Sequence, residues 1–259
     1  MIDIHSHVLP GLDDGSRDLE ESLAMLSLAA EGGTTDIVAT PHANPKYTFD
    51  PETVAAKTVE LRDARGDRGE DLPRLHTGCD FHLTFENVND ALERRTRYTV
   101  NGGRYLLVEF PDLLIYPKTA ELFQRLLEVG LVPIITHPER NELLQKRLAD
   151  LKAWVEMGCL IQVTAASLLG RFGRRAESFA RTLMDENLVH FIASDAHDTK
   201  HRPPGMREAH AEVQRGWGSA RAEALFVANG RAVIDNQLLP VVEPSTRNSQ
   251  TARRWYRFW

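Results

Sequence analysis

Short runs of β-branched and other apolar residues alternate along the chain with longer stretches of helical period. Seven runs stand out: Ile2 to His5, Asp36 to Thr40, Leu75 to Cys79, Tyr105 to Phe110, Val132 to Thr136, Leu160 to Thr164 and His190 to Ser194. Most are nearly continuous in Val, Ile and Leu, as expected of strands covered on both faces. The stretches between them predict helices. Arg17 to Glu31 puts Leu19, Leu23, Leu26 and Ala30 on one stripe, and Asp50-Pro51-Glu52 reads as a cap, a first-turn proline and an early acid. The segment after His137 carries Leu143, Leu144, Leu148, Leu151, Trp154 and Val155, with Gly158 suited to its end. Such alternation predicts parallel strands buried by crossover helices, and so an α/β fold. The pattern fades near Glu243. We therefore expect one domain over residues 1–244 and a basic, aromatic, loosely held tail over 245–259.

Composition narrows the function. At 259 residues and 42% hydrophobic, the chain can bury one full-size core. Its net charge is −6, and the last fifteen residues hold four arginines and no acid, so the body is more acidic than the whole. Such a surface is a poor non-specific binder of nucleic acid, and no nucleic-acid partner is expected. Cys79 and Cys159 form no paired motif, which argues against a disulfide framework or thiolate zinc site and fits a reducing cytoplasm. Met1 leads directly into Ile2-Asp3-Ile4-His5 without a basic-then-apolar leader, and no apolar stretch approaches the ~18 residues that span a bilayer. A cytoplasmic location is the expectation.

Metal-capable side chains gather at the ends of the predicted strands. His5 and His7 close the first, His42 follows the second, Asp80 follows the third, and Glu109 lies near the end of the fourth. His137 follows the fifth, and Asp195 with His197 follows the seventh, while the sixth offers only Gln162 and Thr164. In a parallel barrel these C-terminal ends share one face, where side chains remote in sequence meet. A His-x-His pair on an extended segment sends both rings to the same side, and Asp195-Ala196-His197 repeats that spacing. The glycine-flanked Asp13-Asp14-Gly15 loop adds a further oxygen ligand. His76, His190 and His210 read as structural, whereas His82 and His201 fall near the ligand face.

The order of motifs resembles the polymerase-and-histidinol-phosphatase (PHP) family. The motifs are His5-Ser6-His7, Asp14, Thr40-Pro41-His42, Glu109, His137-Pro138-Glu139-Arg140 and Ser194-Asp195-Ala196-His197. Met1 to His7 with Asp13-Asp14-Gly15, and Ile192 to His197 with Arg202-Pro203-Pro204, are similar to the capsule-associated bacterial tyrosine phosphatases of that family. The resemblance covers roughly residues 1 to 240 and implies a distorted seven-stranded (β/α)7 barrel holding up to three metals. It implies one metal on His5, His7 and Asp195, a second on Glu109 and His137, and a third on Asp14, His42 and His197. Asp80 takes the place of a bridging acid that is commonly Glu. Imidazoles and carboxylates without thiolate suit Mn²⁺, Fe²⁺, Zn²⁺ or Co²⁺, and the resemblance favours Mn²⁺, then Zn²⁺.

Clustered metals neutralise a phosphomonoester dianion and generate a nucleophile near neutral pH. Arg140 and Arg202, each within five residues of a ligand, are the expected holders of the phosphoryl oxygens. A cysteine mechanism is not expected, because the positions six after Cys79 and Cys159 are Phe85 and Ala165 rather than the arginine such enzymes need. The implied activity is hydrolysis of phosphotyrosine on a bacterial tyrosine kinase that governs capsular or extracellular polysaccharide synthesis. The rival readings are a small-molecule phosphatase of the histidinol-phosphate type, a nuclease of the same family, which the acidic body argues against, and a metal-stabilised binding module in polysaccharide export. Arg253 to Trp259 mixes cations with interfacial aromatics and suggests a peripheral membrane contact.

Overall fold

Every one of the seven runs contains a strand, and all pairings are parallel. The computed structural model describes residues 1–68 and 71–240. The 245–259 tail lies outside them. The strands are β1 (Ile2–Ser6), β2 (Asp36–Ala39), β3 (His42–Ala43), β4 (Arg74–Thr77), β5 (Asp80–His82), β6 (Tyr105–Glu109), β7 (Val132–Thr136), β8 (Leu160–Thr164) and β9 (Phe191–Ala193).

The ladders do not form the single closed seven-stranded sheet that was expected. They make a three-stranded sheet ordered β1-β2-β4 and a six-stranded sheet ordered β3-β5-β6-β7-β8-β9. The two extra strands, β3 and β5, lie just beyond the second and third runs, each after a short break. Pro41 has no N–H to donate between β2 and β3. Gly78 and Cys79 separate β4 from β5, and a Cβ on Gly78 would lie 3.0 Å from Val38 and 3.2 Å from Thr40. Backbone bonds bridge the break, from Gly78 N to Ala39 O at 2.9 Å and from Asp80 N to Pro41 O at 3.1 Å. On the other side β1 meets the end of β9 through Asp195 N to His5 O at 2.9 Å and His7 N to Ala196 O at 2.8 Å.

Helices cover the outer faces in a single α/β domain. They are α1 (Leu19–Glu31), α2 (Pro51–Arg68), α3 (Phe85–Glu93), α4 (Thr119–Glu128), α5 (Leu148–Met157), α6 (Ala165–Leu168), α7 (Gly173–Asp185), α8 (Arg207–Trp217), α9 (Ser219–Glu223) and α10 (Asn229–Ile234). α1 starts two residues later than the apolar stripe suggests, because Asp18 caps it by accepting from Glu21 N at 2.9 Å. Gly158 ends α5 in the left-handed region at φ 114°, as its position predicted. No helix of the described residues is long and apolar enough to cross a membrane.

Burial follows the strand period. Ile37, Leu106, Val108, Ile135, Ile161, Val163 and Ile192 belong to the large core cluster, and Tyr105, Leu107, Ile134, Phe191 and Ala193 to a second one. The second alternation, carried to the C-terminal strand ends, exchanges apolar side chains for Glu109, Gln162 and Asp195. Parallel strands put all these ends on one side.

Candidate metal centre

Eight donors in or beside six strands, with Asp14 from the loop after β1, meet at that side of the sheets. His5 Nε2 lies 3.3 Å from His7 Nε2, and each is 3.5 Å from Asp195 Oδ1. Asp80 Oδ2 stands between His5 Nε2 at 3.5 Å and His42 Nδ1 at 3.2 Å. Glu109 faces His42 at 3.6 Å and His137 at 3.7 Å. Asp14 Oδ1 reaches His42 Nε2 at 3.3 Å and His197 Nε2 at 3.7 Å. Three groups bring their donor atoms within 4.8 Å of one another: His7 with Asp14, His42 and His197; His5 with His7 and Asp80; and His42 with Asp80 and Glu109.

The backbone bends to deliver two of these side chains. His137 has φ 33° and Asp195 φ 52°, values that non-glycine residues adopt only at a cost of order 1 kcal/mol. His137 follows directly on β7 and Asp195 comes two residues after β9, where the turn brings each side chain among the other donors. The Asp13-Asp14-Gly15 loop folds tightly under His7, and a Cβ on Gly15 would sit 2.2 Å from His7 O, so only glycine fits.

Oxygen partners hold the outer nitrogens of three imidazoles so that Nε2 faces inward. His5 Nδ1 is 3.1 Å from Gln162 Oε1, His7 Nδ1 is 2.6 Å from Asp13 Oδ2, and His197 Nδ1 is 3.1 Å from the Asp195 carbonyl. This is the arrangement that fixes the tautomer of metal-binding histidines. Asp13 was read with Asp14 as a source of ligand oxygens, and geometry separates the two. Asp14 turns into the cluster, while Asp13 accepts from His7, from Gly15 N at 2.9 Å and from His42 N at 3.1 Å.

The charges suit cations. Burial disfavours the imidazolium of His7, but the Asp13 carboxylate outweighs it and lifts the pKa to about 9. Burial likewise opposes charge on His42, yet Asp14, Asp80 and Glu109 raise it to about 11. Burial and the neighbouring His7 push His197 down to about 3, and burial with Arg140 pushes His137 well down. Asp80 and Asp195 are driven well below the carboxylate range despite burial, chiefly by His5. The carboxylates thus call for positive charge at the centre. Both oxygens of Asp80 and Nδ1 of His42 are buried without a hydrogen-bond partner. Such orphaned atoms are expensive unless an ion satisfies them, so the donor set fits divalent metal.

Arg140 and Arg202 arrive beside this cluster. Both guanidiniums bond Asp195 Oδ2, Arg202 at 2.5 Å. Arg202 Nε is buried and unpartnered. His82 Nδ1 lies 3.3 Å from Glu109 Oε2 and so borders the centre, whereas His201 is exposed and joins none of these groups. The structural histidines fall elsewhere: His76 pairs with Asp36 at 3.0 Å, His190 accepts from Ile161 N at 3.1 Å, and His210 packs edge-on against Phe226. Both cysteines are buried, and burial pushes the Cys79 thiol well up and that of Cys159 up to about 12. Glu139, part of the His137 to Arg140 motif, was given no role of its own in the sequence reading. It is fully buried and accepts from Thr164 N at 3.0 Å and from the Ser167 hydroxyl at 2.7 Å, tying the His137 to Arg140 turn to β8 and α6.

Residues 1–235 match the family described as capsular polysaccharide synthesis, CpsB/CapC. The chain belongs to that family. It is 35% identical over 244 residues to the tyrosine-protein phosphatase YwqE of Bacillus subtilis, covering 92% of this chain and 93% of YwqE. It is 31% identical over 245 residues to the tyrosine-protein phosphatase CpsB of Streptococcus pneumoniae, covering 92% of this chain and all of CpsB. A crystal structure from the YwqE and CpsB pair, described as metal-dependent tyrosine phosphatases, superposes with a TM-score of 0.87 at 32% identity over 96% of this chain and 99% of that one. A β-aspartyl dipeptidase from Fervidobacterium islandicum, at 15% identity and a TM-score of 0.53, shares the fold alone.

Proposed function

We propose that this protein is a metal-dependent phosphatase that hydrolyses phosphotyrosine on a protein substrate in the control of capsular or extracellular polysaccharide synthesis. The observation that carries the reading is the convergence of His5, His7, Asp14, His42, Asp80, Glu109, His137, Asp195 and His197 beside two arginines, in a chain of the CpsB/CapC family. These nine residues are the proposed metal ligands, and Mn²⁺ is the proposed ion, with Zn²⁺, Fe²⁺ or Co²⁺ as other fits to a set of imidazoles and carboxylates. When bound, the metals supply Lewis acidity and a nucleophile at neutral pH.

The chain's own groups do the rest. Asp13, Gln162 and the Asp195 carbonyl orient the rings of His7, His5 and His197. Arg140 and Arg202 share one carboxylate oxygen, Asp195 Oδ2, and so hold two cationic forks at a single point on the rim of the donors. An arriving phosphoryl group offers the same guanidiniums equatorial oxygens in bidentate geometry. Tyrosine also leaves more readily than serine, because a phenol has a pKa of about 10, far below that of an alkanol. The high pKa of both buried thiols speaks against a cysteine nucleophile.

The finer architectural reading goes with this function. The two sheets are proposed as halves of one distorted barrel, joined at the Pro41 and Gly78 breaks and between β1 and β9, with residues 1–244 as the catalytic unit and 245–259 as a basic extension. The substrate is proposed to be an autophosphorylated tyrosine kinase, met in the cytoplasm, where free buried cysteines persist.

The test is phosphate release by Mn²⁺-loaded protein from a phosphotyrosyl peptide, with a phosphoseryl peptide and histidinol phosphate in parallel and chelated protein as blank. Selective, chelator-sensitive release from phosphotyrosine is expected. Release from histidinol phosphate alone would replace the substrate, and metal retention without turnover on any of them would leave a binding module.

A further inference from the structure

Between α6 and α7 the chain makes a tight turn. Gly170 and Gly173 both lie in the left-handed region, at φ 75° and 87°, and Gly173 N donates to Gly170 O at 3.0 Å. Arg171 N donates to Ala166 O at 3.0 Å, and the Arg171 side chain pairs with Glu208 of α8 at 2.7 Å. Arg171 thus ties the turn to α6 and to α8, and the next residue, the half-buried Phe172, is its one aromatic side chain. The Arg140 guanidinium lies 4.4 Å from the centre of that ring, and the Arg202 guanidinium 6.0 Å.

Two guanidiniums that share an aromatic ring and a carboxylate oxygen are constrained on two sides. Arg140 comes from the turn after β7 and Arg202 from the loop after β9, so the two long side chains start from separate loops on strands that β8 divides. Their like charges repel, and both belong to long side chains with much rotamer freedom to lose. A π face attracts each cation without competing for its N–H donors. Asp195 cannot fill that role alone, since an incoming phosphoryl group competes for the same donors.

We infer that Phe172 is a positioning residue, a shelf on which Arg140 and Arg202 are held in a phosphate-binding pair while their N–H groups pass from Asp195 to the phosphoryl oxygens. It acts through the two arginines, whose guanidiniums its ring faces. The inference rests on the proposed phosphatase reading, but its test does not need turnover.

The experiment measures inorganic phosphate binding to Mn²⁺-loaded protein by calorimetry, alongside kcat and KM on a phosphotyrosyl peptide. Phe172→Leu keeps apolar bulk and removes the π face, and Phe172→Trp restores a larger one. The leucine variant is expected to weaken phosphate binding and raise KM by about five- to thirtyfold, the range for losing one to two cation–π contacts, with kcat less affected. The tryptophan variant should lie within about threefold of the parent, on the same basis. In an Arg140→Ala background the further loss from Phe172→Leu should shrink, as a coupled pair requires. Unchanged phosphate affinity in Phe172→Leu, equal damage from leucine and tryptophan, or full additivity with Arg140→Ala would each overturn the inference. Phosphate binding that shifts as expected in a protein without phosphotyrosine turnover would sustain the shelf and discard the substrate, and absence of phosphate binding by the parent would overturn both.

Discussion

At the scale of single residues, the centre shows how a buried polar group is kept from being a liability. Most of its donors face one another rather than water, and the two oxygens of Asp80 make no hydrogen bond. Asp13, Gln162 and Glu139 are not donors to the cluster, yet each satisfies the far side of a residue or turn that carries one. The cysteines occupy the opposite situation. Cys79 precedes Asp80 on the chain and, because side chains alternate, lies in the apolar core with no exposure. Replacing Cys79 and Cys159 by serine together is expected to leave kcat per folded molecule within about twofold while lowering the melting temperature, since each buried hydroxyl costs of order 1 kcal/mol. Activity and folded fraction measured on the same sample check this, and loss of turnover in folded protein would revive a thiol mechanism.

At the scale of elements, the strand ends that carry chemistry differ from those that carry stability. His190 stands at the start of β9, away from the donors, and its Nδ1 accepts from Ile161 N while Asn229 donates to its carbonyl at 2.8 Å. Packing around the ring and the Arg221 guanidinium push its pKa down to about 4 from 6.5. The folded state thus favours the neutral ring. Between those two values the unfolded chain binds the proton first, so the stability His190 contributes is complete above pH 6.5 and declines as pH falls toward 4. The loss is on the order of 2 kcal/mol after allowance for partial exposure. Denaturant unfolding of chelated protein at pH 7.5 and 4.5 should show a steeper decline in the parent than in His190→Gln, and parallel declines would rule this contribution out.

At the scale of the whole molecule, the proposed metal centre would act as a staple. The proposed ligands come from β1, from the segments that follow β2, β7 and β9, and from β5 and β6, so a metal bound there would tie both sheets and the seam between β1 and β9. A ligand that binds only the folded state stabilises by mass action, about 2.7 kcal/mol at a hundredfold excess over Kd. For a chain of this size that is a rise in melting temperature of about 5 to 10 °C. Mn²⁺-loaded protein should melt that much above chelated protein in calorimetry, and Asp80→Asn should shrink the gap. Equal melting with and without chelator would mean that the centre holds no tightly bound metal.

The α/β class and the location of all seven strand-bearing runs were legible along the chain, because hydrophobic period reports burial, and strand-end position brought the proposed donors to one face. The PHP resemblance added the pairing of donors, and the His5, His7, Asp195 and the Glu109, His137 groupings match the observed proximities. Four features were decided only in three dimensions. The breaks at Pro41 and Gly78 divide one expected barrel into two sheets, since a missing N–H and a close approach to Val38 act between strands rather than within one. The choice between Asp13 and Asp14 depends on how tightly Gly15 folds against His7. The inward turn of His137 and Asp195 depends on strained backbone that no local propensity favours. The ring of Phe172 meets Arg140 and Arg202 from segments 32 and 30 residues away, a coincidence of packing that leaves no periodic trace along the chain.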